Sequence, residues 1–294
     1  MTPIIEAIDI VKRYGKFLAV DGVSFSVPAG VCFGLLGPNG AGKTTTIEVI
    51  ENVTPLTSGE VKYKGKPRTR RFQEEVGIQF QQTSLLEFLS VRDTLVTFAS
   101  LYQNPRNIDE LLELCSLVDI QKQMNNRISG GQKQRLMLAL ALVNQPSLIF
   151  LDEPSTGLDP HARWDLWQVV ENIKSQGKTL VLTTHYMEEA QNLCDDIAIM
   201  DHGKIIAQGS PEALIRTHCD GSTVIIPKKG VKRPLAELNF PFVESESRVE
   251  ITCDDINQCL GRLMEMETDM RDVLVRSPNL ETVFLNLTGR QLRE

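Results

Sequence analysis

Gly37-Pro38-Asn39-Gly40-Ala41-Gly42-Lys43-Thr44 fits the spacing G-x-x-x-x-G-K-[ST], and it leaves few folds open to the chain. The apolar run Val31 to Leu36 before it reads as a buried strand, and Thr45 to Val53 after it reads as a helix. A strand that feeds a glycine-rich loop and then a helix N-terminus gathers backbone N–H groups and the positive end of the helix dipole at one point. That is a trap for phosphate. Gly37, Gly40 and Gly42 let the backbone close around an anion with no Cβ in the way. Lys43 is placed to reach the outer phosphates of a nucleoside triphosphate, and the Thr44 hydroxyl to sit on Mg2+. Pro38, Asn39, Ala41 and Thr45 complete the loop. A plain glycine-rich turn would explain neither the Lys-Thr pair nor its place between strand and helix.

A second constellation lies downstream. Leu148 to Leu151 is an apolar strand that ends in Asp152-Glu153. With a phosphate loop upstream, an acid at such a strand end holds Mg2+, a role assigned to Asp152. Glu153 would face the terminal phosphate and polarise the attacking water. Ser129-Gly130-Gly131-Gln132, followed by Lys133 and Arg135, is another glycine-rich anion-binding turn at a helix N-terminus. To serve the same nucleotide within one chain, the helices around this turn would have to fold across their own phosphate loop. A head-to-tail dimer resolves the conflict, because the turn of one subunit then covers the nucleotide held by the other.

The remaining chain gives the setting. Its 294 residues carry a formal net charge of -7, so no basic footprint for nucleic acid is present and none is expected as a partner. No apolar run reaches bilayer length, the longest being Leu136 to Val143, and the start lacks the basic and apolar regions of a secretory signal. Cys32, Cys115, Cys194, Cys219, Cys253 and Cys259 show no C-x-x-C spacing and read as reduced thiols. Strands are expected at 4–11, 20–27, 60–64 and 76–80, with the basic run Lys62 to Arg71 as a solvated hairpin. Residues 84–145 read as a helical insert, with helix starts at Ser90, Asn107 and Gly131. Pro160, behind the N-cap Asp159, begins another helix. After residue 217 a small α/β module follows, with strands near 223–226, 248–252 and 273–275 and helices at 256–265 and after Asn279.

These motifs, in this order, resemble the ATP-binding subunits of ABC transporters. Gly37 to Thr44 matches Walker A, Ile128 to Gln132 the ABC signature with Ile in place of the usual Leu, and Leu148 to Glu153 Walker B. Ser155 to Asp159 matches the D-loop, His185 the switch histidine and Gln81 the Q-loop glutamine. The stretch Ser277 to Leu285, with Leu287-Thr288-Gly289, resembles the end of ATPases from ABC-2-type exporters, such as the drug-resistance and daunorubicin-export subunits.

The resemblance implies an α/β fold: a P-loop NTPase (RecA-like) core over 1–217, with an antiparallel β subdomain and the helical insert, and an accessory module over 218–294. It implies ATP and Mg2+ as ligands, with Tyr14 stacked on adenine and Gln81 touching metal and water. Ser129, Gly130, Gly131 and Gln132 would bind the opposite subunit's ATP, Asp159 would cross the interface, and His185 would contact the γ-phosphate. It implies a homodimer or a paired ATPase subunit, and an integral membrane permease as partner. The chain would then be cytoplasmic, peripheral on the inner face of the cell membrane. Two other readings are a soluble ABC ATPase of translation or repair, and a nucleotide-dependent regulator. The acidic balance, the single cassette and the lack of zinc cysteines speak against the first, and Glu153 with His185 against the second.

Overall fold

The computed structural model describes residues 2–81 and 83–289. The chain divides into two compact units, Met1–Pro211 and Glu212–Glu294. The first unit opens with β1 (Ile5–Tyr14), β2 (Phe17–Val27), β3 (Cys32–Leu36), α1 (Lys43–Glu51), β4 (Ser58–Tyr63), β5 (Lys66–Pro67), α2 (Arg70–Glu75) and β6 (Val76–Gln79). A run of helices follows: α3 (Val91–Ala99), α4 (Ile108–Leu114) and α5 (Gly130–Ala141). The unit continues with β7 (Leu148–Asp152), α6 (Pro160–Ser175), β8 (Thr179–Thr184), α7 (Met187–Leu193), β9 (Asp196–Asp201) and β10 (Lys204–Gly209).

Two sheets form its frame. One is antiparallel, in the order β2-β1-β4-β5, and the other runs β10-β9-β3-β8-β7-β6. In the second, β9, β3, β8, β7 and β6 are parallel and only β10 is antiparallel, at the edge. Every residue of β3, β7 and β8 is buried, the pattern of strands covered on both faces. α1 packs against β1, β2, β7 and β8, and Phe25 of β2 stacks on Phe33 of β3 with ring centroids 4.8 Å apart. Each such fully buried large side chain contributes roughly 1.5–3 kcal/mol. The parallel register has one decisive result. The C-terminal ends of β3, β7, β8 and β6 lie on the same edge of the sheet, where ligands of open α/β sheets bind. Those ends lead into Gly37, Asp152-Glu153, His185 and Gln81.

The helices between β6 and β7 start where their caps predict. Ser90 accepts the N–H of Asp93, Asn107 that of Asp109, and Ser129 that of Gln132. α5 packs on β6 and α6. Gly77 permits the first contact, since a Cβ there would come within 2.0 Å of the Ala141 carbonyl.

The basic run Lys62 to Arg71 departs from the expected solvated hairpin. The hairpin ends at Pro67 and a helix, α2, follows at once. Arg68 is half buried, and its Nη1 donates to the carbonyls of Val49 and Ile50 at 2.5 Å each. The last carbonyls of α1 lack the usual i+4 donor, and this guanidinium donates to both, beside the Asn52 N–H that reaches the Val49 carbonyl at 3.3 Å.

The second unit contains α8 (Pro211–His218), β11 (Ser222–Pro227), β12 (Phe242–Glu244), β13 (Arg248–Cys253), α9 (Ile256–Glu265), β14 (Leu274–Arg276) and α10 (Leu280–Thr288). α8 groups with this unit apart from its first residue, so the break falls six residues before the expected 217/218. Its sheet is antiparallel in the order β12-β13-β11-β14. Val224, Ile226, Val249 and Ile251 form its core with Cys259, Leu263 and Met266. Asn279 and Thr282 close a capping box on α10. β12 was not anticipated, because three exposed residues carry no alternation to read. All six cysteines are free.

Candidate functional site

The phosphate loop is built by close packing. Gly42 is the N-cap of α1 in a left-handed conformation. A Cβ at Gly37 would stand 2.3 Å from the Met200 carbonyl and one at Gly42 2.5 Å from the Ala19 carbonyl, both with φ above +90°. Only glycine fits either place. Ala41 donates its N–H to Pro38 at 3.1 Å, and Gly203 donates to the Ala41 carbonyl at 2.9 Å, so the loop is fixed from both sides. Lys43 is buried and its Nζ donates to the carbonyls of Gly37 and Pro38 at 2.8 and 3.2 Å. Burial lowers its pKa, opposed by Glu153, whose Oε1 is 3.9 Å away, and by Asp152.

The two carboxylates at the end of β7 are neighbours with opposite environments. Burial raises the pKa of Asp152, whose Oδ1 accepts the Thr183 hydroxyl. Glu153 leaves the strand with φ 47, a left-handed value that costs a non-glycine residue about 1–2 kcal/mol. It is held there by its N–H, which donates to the carbonyl and the hydroxyl of Thr183 at 3.1 and 3.0 Å. Its Oε2 accepts Gln81 Nε2 at 3.3 Å and Thr156 Oγ1 at 3.0 Å. His185 Nδ1 stands 3.3 Å from the same oxygen but is not aligned as a hydrogen bond. The His185 ring is the largest cause that holds the Glu153 carboxyl below its ordinary range, against the cost of burial.

A cavity of about 270 Å³ lies over this edge, lined by Asn39, Gly40, Gly42, Lys43, Thr44, Thr45, Gln81 and Glu153, together with Phe17 and Ala19. The structure therefore brings Walker A, the Q-loop and Walker B together, with His185 beside Glu153. The signature turn is not part of this cavity. Ser129 and Gly130 are exposed, and Ser129 and Gln132 form a reciprocal capping box on α5. Gly131 lies against α6, where a Cβ would be 2.8 Å from that of Ala162. Asp159 caps α6 through the N–H of Ala162 at 2.9 Å, and that bond lowers its pKa.

Tyr14 does not line this cavity. Its ring carries Lys12 Nζ 4.7 Å from the centroid, and the aromatic side chain on the cavity wall is Phe17, 66% exposed. Phe17 escaped the sequence reading because an exposed phenylalanine at a strand start has no local signature; only the folded loop brings it to the phosphate loop. The donor set suits Mg2+: Thr44 offers a hydroxyl, Gln81 an amide and Asp152 a buried carboxylate, all oxygen ligands. Among the described residues no cluster of three or more His, Cys, Asp or Glu side chains could hold a metal. A Mg2+ bound through one carboxylate and substrate phosphates needs none.

A phosphate loop, a strand-end carboxylate pair and a detached second glycine-rich turn at a helix N-terminus, on a six-stranded sheet flanked by an antiparallel one, define an ATPase cassette. The family model for ABC transporters matches residues 20–156. Nod factor export ATP-binding protein I of Rhizobium sp. (strain N33) is 38% identical over 303 aligned residues, covering 99% of this chain and 98% of that protein. The Burkholderia orbicola (strain AU 1054) protein of that name is 39% identical and covers 97% of each. Among solved structures, an ATP-binding cassette of an ABC transporter in its ADP conformation superposes with TM-score 0.67 at 27% identity. It covers 74% of this chain and 95% of its own. A part of the Clostridium perfringens cbiONQ ABC transporter complex gives TM-score 0.67 at 25% identity, covering 74% and 92%. The chain belongs to the ABC transporter family, as an ATP-binding and ATP-hydrolysing subunit.

Proposed function

We propose that this chain is the ATPase of an export complex, and that two copies, or this chain and a paired ATPase subunit, close head to tail over two ATP molecules. The observation that carries the reading is the separation within one chain: one cavity collects Gly37 to Thr45, Gln81 and Glu153, and the signature turn stays outside it. A site completed by the partner's Ser129 to Gln132 turn accounts for both. Export is supported by relatives that carry the word in their names and match nearly the whole chain, tail included. Nod factor is the cargo of those proteins; the residues that select cargo here would lie in a membrane chain.

In the proposed cycle Lys43 and the N–H groups of Gly40 to Thr45 bind and orient the outer phosphates. Thr44, Gln81 and Asp152 would hold Mg2+, which when bound neutralises charge on the phosphate oxygens. Glu153, kept ionised by its His185 neighbour, takes a proton from water and aims it in line with the γ-phosphate. His185 contacts that phosphate. Phe17 and Tyr14 together offer the aromatic surface for adenine. Ser129, Gly130, Gly131 and Gln132 close over the partner's ATP, and Asp159 joins the two sites across the interface. Loss of the γ-phosphate removes what joined the halves. The work comes from the difference in ATP affinity between closed and open states, since a ligand shifts an equilibrium by no more than that.

Among the described residues no helix is long and apolar enough to cross a membrane. The proposal therefore gives the transport path to a permease and seats this chain on the cytoplasmic face. Leu86, Phe88 and Leu101, exposed at and after the segment that follows Gln81, supply an apolar surface for such a contact.

Complementation tests the shared site. Lys43→Ala spoils the phosphate loop and leaves the signature turn; Ser129→Arg does the reverse. Each variant alone should release almost no phosphate, and an equal mixture should regain hydrolysis through mixed dimers with one intact site. A mixture no more active than its parts would contradict a signature turn that works in trans.

A further inference from the structure

Behind the switch histidine lies a buried polar cluster that the proposed chemistry does not use. Glu189, on α7, is wholly enclosed. Its Oε1 accepts the indole N–H of Trp167, on α6, at 3.0 Å. Its Oε2 is enclosed without a hydrogen-bond partner, as is the Ser155 hydroxyl, and the charge of Arg163 acts on the carboxyl. Ser155 follows Glu153 by two residues, and Thr184 directly precedes His185. Arg163 and Trp167 lie on the helix that Asp159 caps. On the outer side, the Arg163 guanidinium lies 4.2 Å over the Tyr186 ring, and that ring is 4.2 Å from the ring of His185. The Tyr186 N–H donates to the Thr184 hydroxyl at 2.9 Å. The turn that carries His185 is thus held from two sides.

We propose that Glu189 is a positioning residue for ATP hydrolysis: its carboxyl ties α7, which starts directly after the His185-Tyr186 turn, to α6 through Trp167 and so sets where His185 stands against Glu153. The proposal rests on the reading of Glu153 and His185 as the hydrolytic pair. The energetics favour a role beyond packing. An enclosed carboxyl is costly to desolvate, and an apolar side chain of like volume would fill the space at less cost. Burial raises the pKa of this group, and Thr184, Ser155, Trp167 and Arg163 oppose the rise. A carboxylate can accept the Trp167 N–H with either oxygen, whereas a glutamine in its place turns one acceptor oxygen into a donor.

The test joins kinetics to a view of one ring. His161, His185, His202 and His218 are the chain's 4 histidines, so the imidazole nitrogen spectrum is sparse, and His185→Ala identifies the His185 signals. Glu189→Gln should lower kcat by ten- to about a hundredfold, the range that small misplacements of a reacting group bring. Its KM for ATP should stay within twofold, because the phosphate loop is untouched. The His185 signals should move while those of His202 and His218 stay. Trp167→Phe, which keeps the carboxyl and removes one donor, should move the His185 signals the same way by less, and it serves if the glutamine variant does not fold. Unmoved His185 signals in the variants overturn the proposal, whether or not kcat falls. If His185→Ala itself leaves kcat unchanged, the hydrolytic reading of His185 fails, and the spectrum still reports whether Glu189 places the ring.

Discussion

At the scale of single residues, the site depends on giving adjacent side chains different electrostatic settings. Asp152 and Glu153 are consecutive, yet burial pushes one carboxyl up and the His185 ring holds the other down. A carboxylate whose charge is disfavoured is ready for a cation, and one whose charge is favoured can accept a proton. The proposed base therefore depends on its histidine twice, for position and for pKa. His185→Ala should cut hydrolysis by about a hundredfold or more. It should also move the acid limb of the remaining activity to higher pH. The sign follows from the shift: Glu153 must be ionised to act, its folded pKa lies below the ordinary value, and removal of the main cause lets it rise. A pH–rate profile of parent and variant checks this. An acid limb that stays put would mean that another group governs it.

The elements show which parts of the molecule a single sequence exposes. The phosphate loop, the Asp152-Glu153 strand end, the Ser129 turn and the caps at Ser90, Asn107 and Asp159 were legible because each is a local pattern. Strand, turn and cap chemistry act over a few residues, and spacing records them. Arg68 was read as solvated because its partners, the carbonyls that end α1, lie far back in the chain. Phe17 and the neighbours of Glu189 escaped for the same reason. Glu51, at the end of α1, is a further case. A charged residue on a short helix reads as a surface group, yet it is buried and its carboxyl is pushed up to about 8, first by burial, then by Asp152 and Glu48. Between pH 4.5 and about 8 the folded chain holds this proton and the unfolded chain has lost it. The stability it contributes is therefore complete below the lower value and declines as pH rises toward the upper, at about 1.4 kcal/mol per unit. Glu51→Gln should raise the melting temperature at pH 8 more than at pH 5. An equal gain at both pH values would contradict the assignment.

On the scale of the whole molecule, the central feature is a cassette that carries two glycine-rich turns at helix N-termini and brings one of them to its own cavity. The parallel order of β9, β3, β8, β7 and β6 places four motif ends on one edge, and the helices after β6 carry the signature turn elsewhere. Nearly full-length similarity to export ATP-binding proteins extends through the second unit, whereas the cassette structures span about three quarters of the chain. The most direct measurement is oligomer size by light scattering, read alongside phosphate release, for the parent and Glu153→Gln with and without ATP. The variant should release almost no phosphate and form a dimer that requires ATP, while the parent hydrolyses and returns to the smaller species. A variant that hydrolyses like the parent, or that stays monomeric at saturating ATP, would contradict a pair of sites shared between two chains.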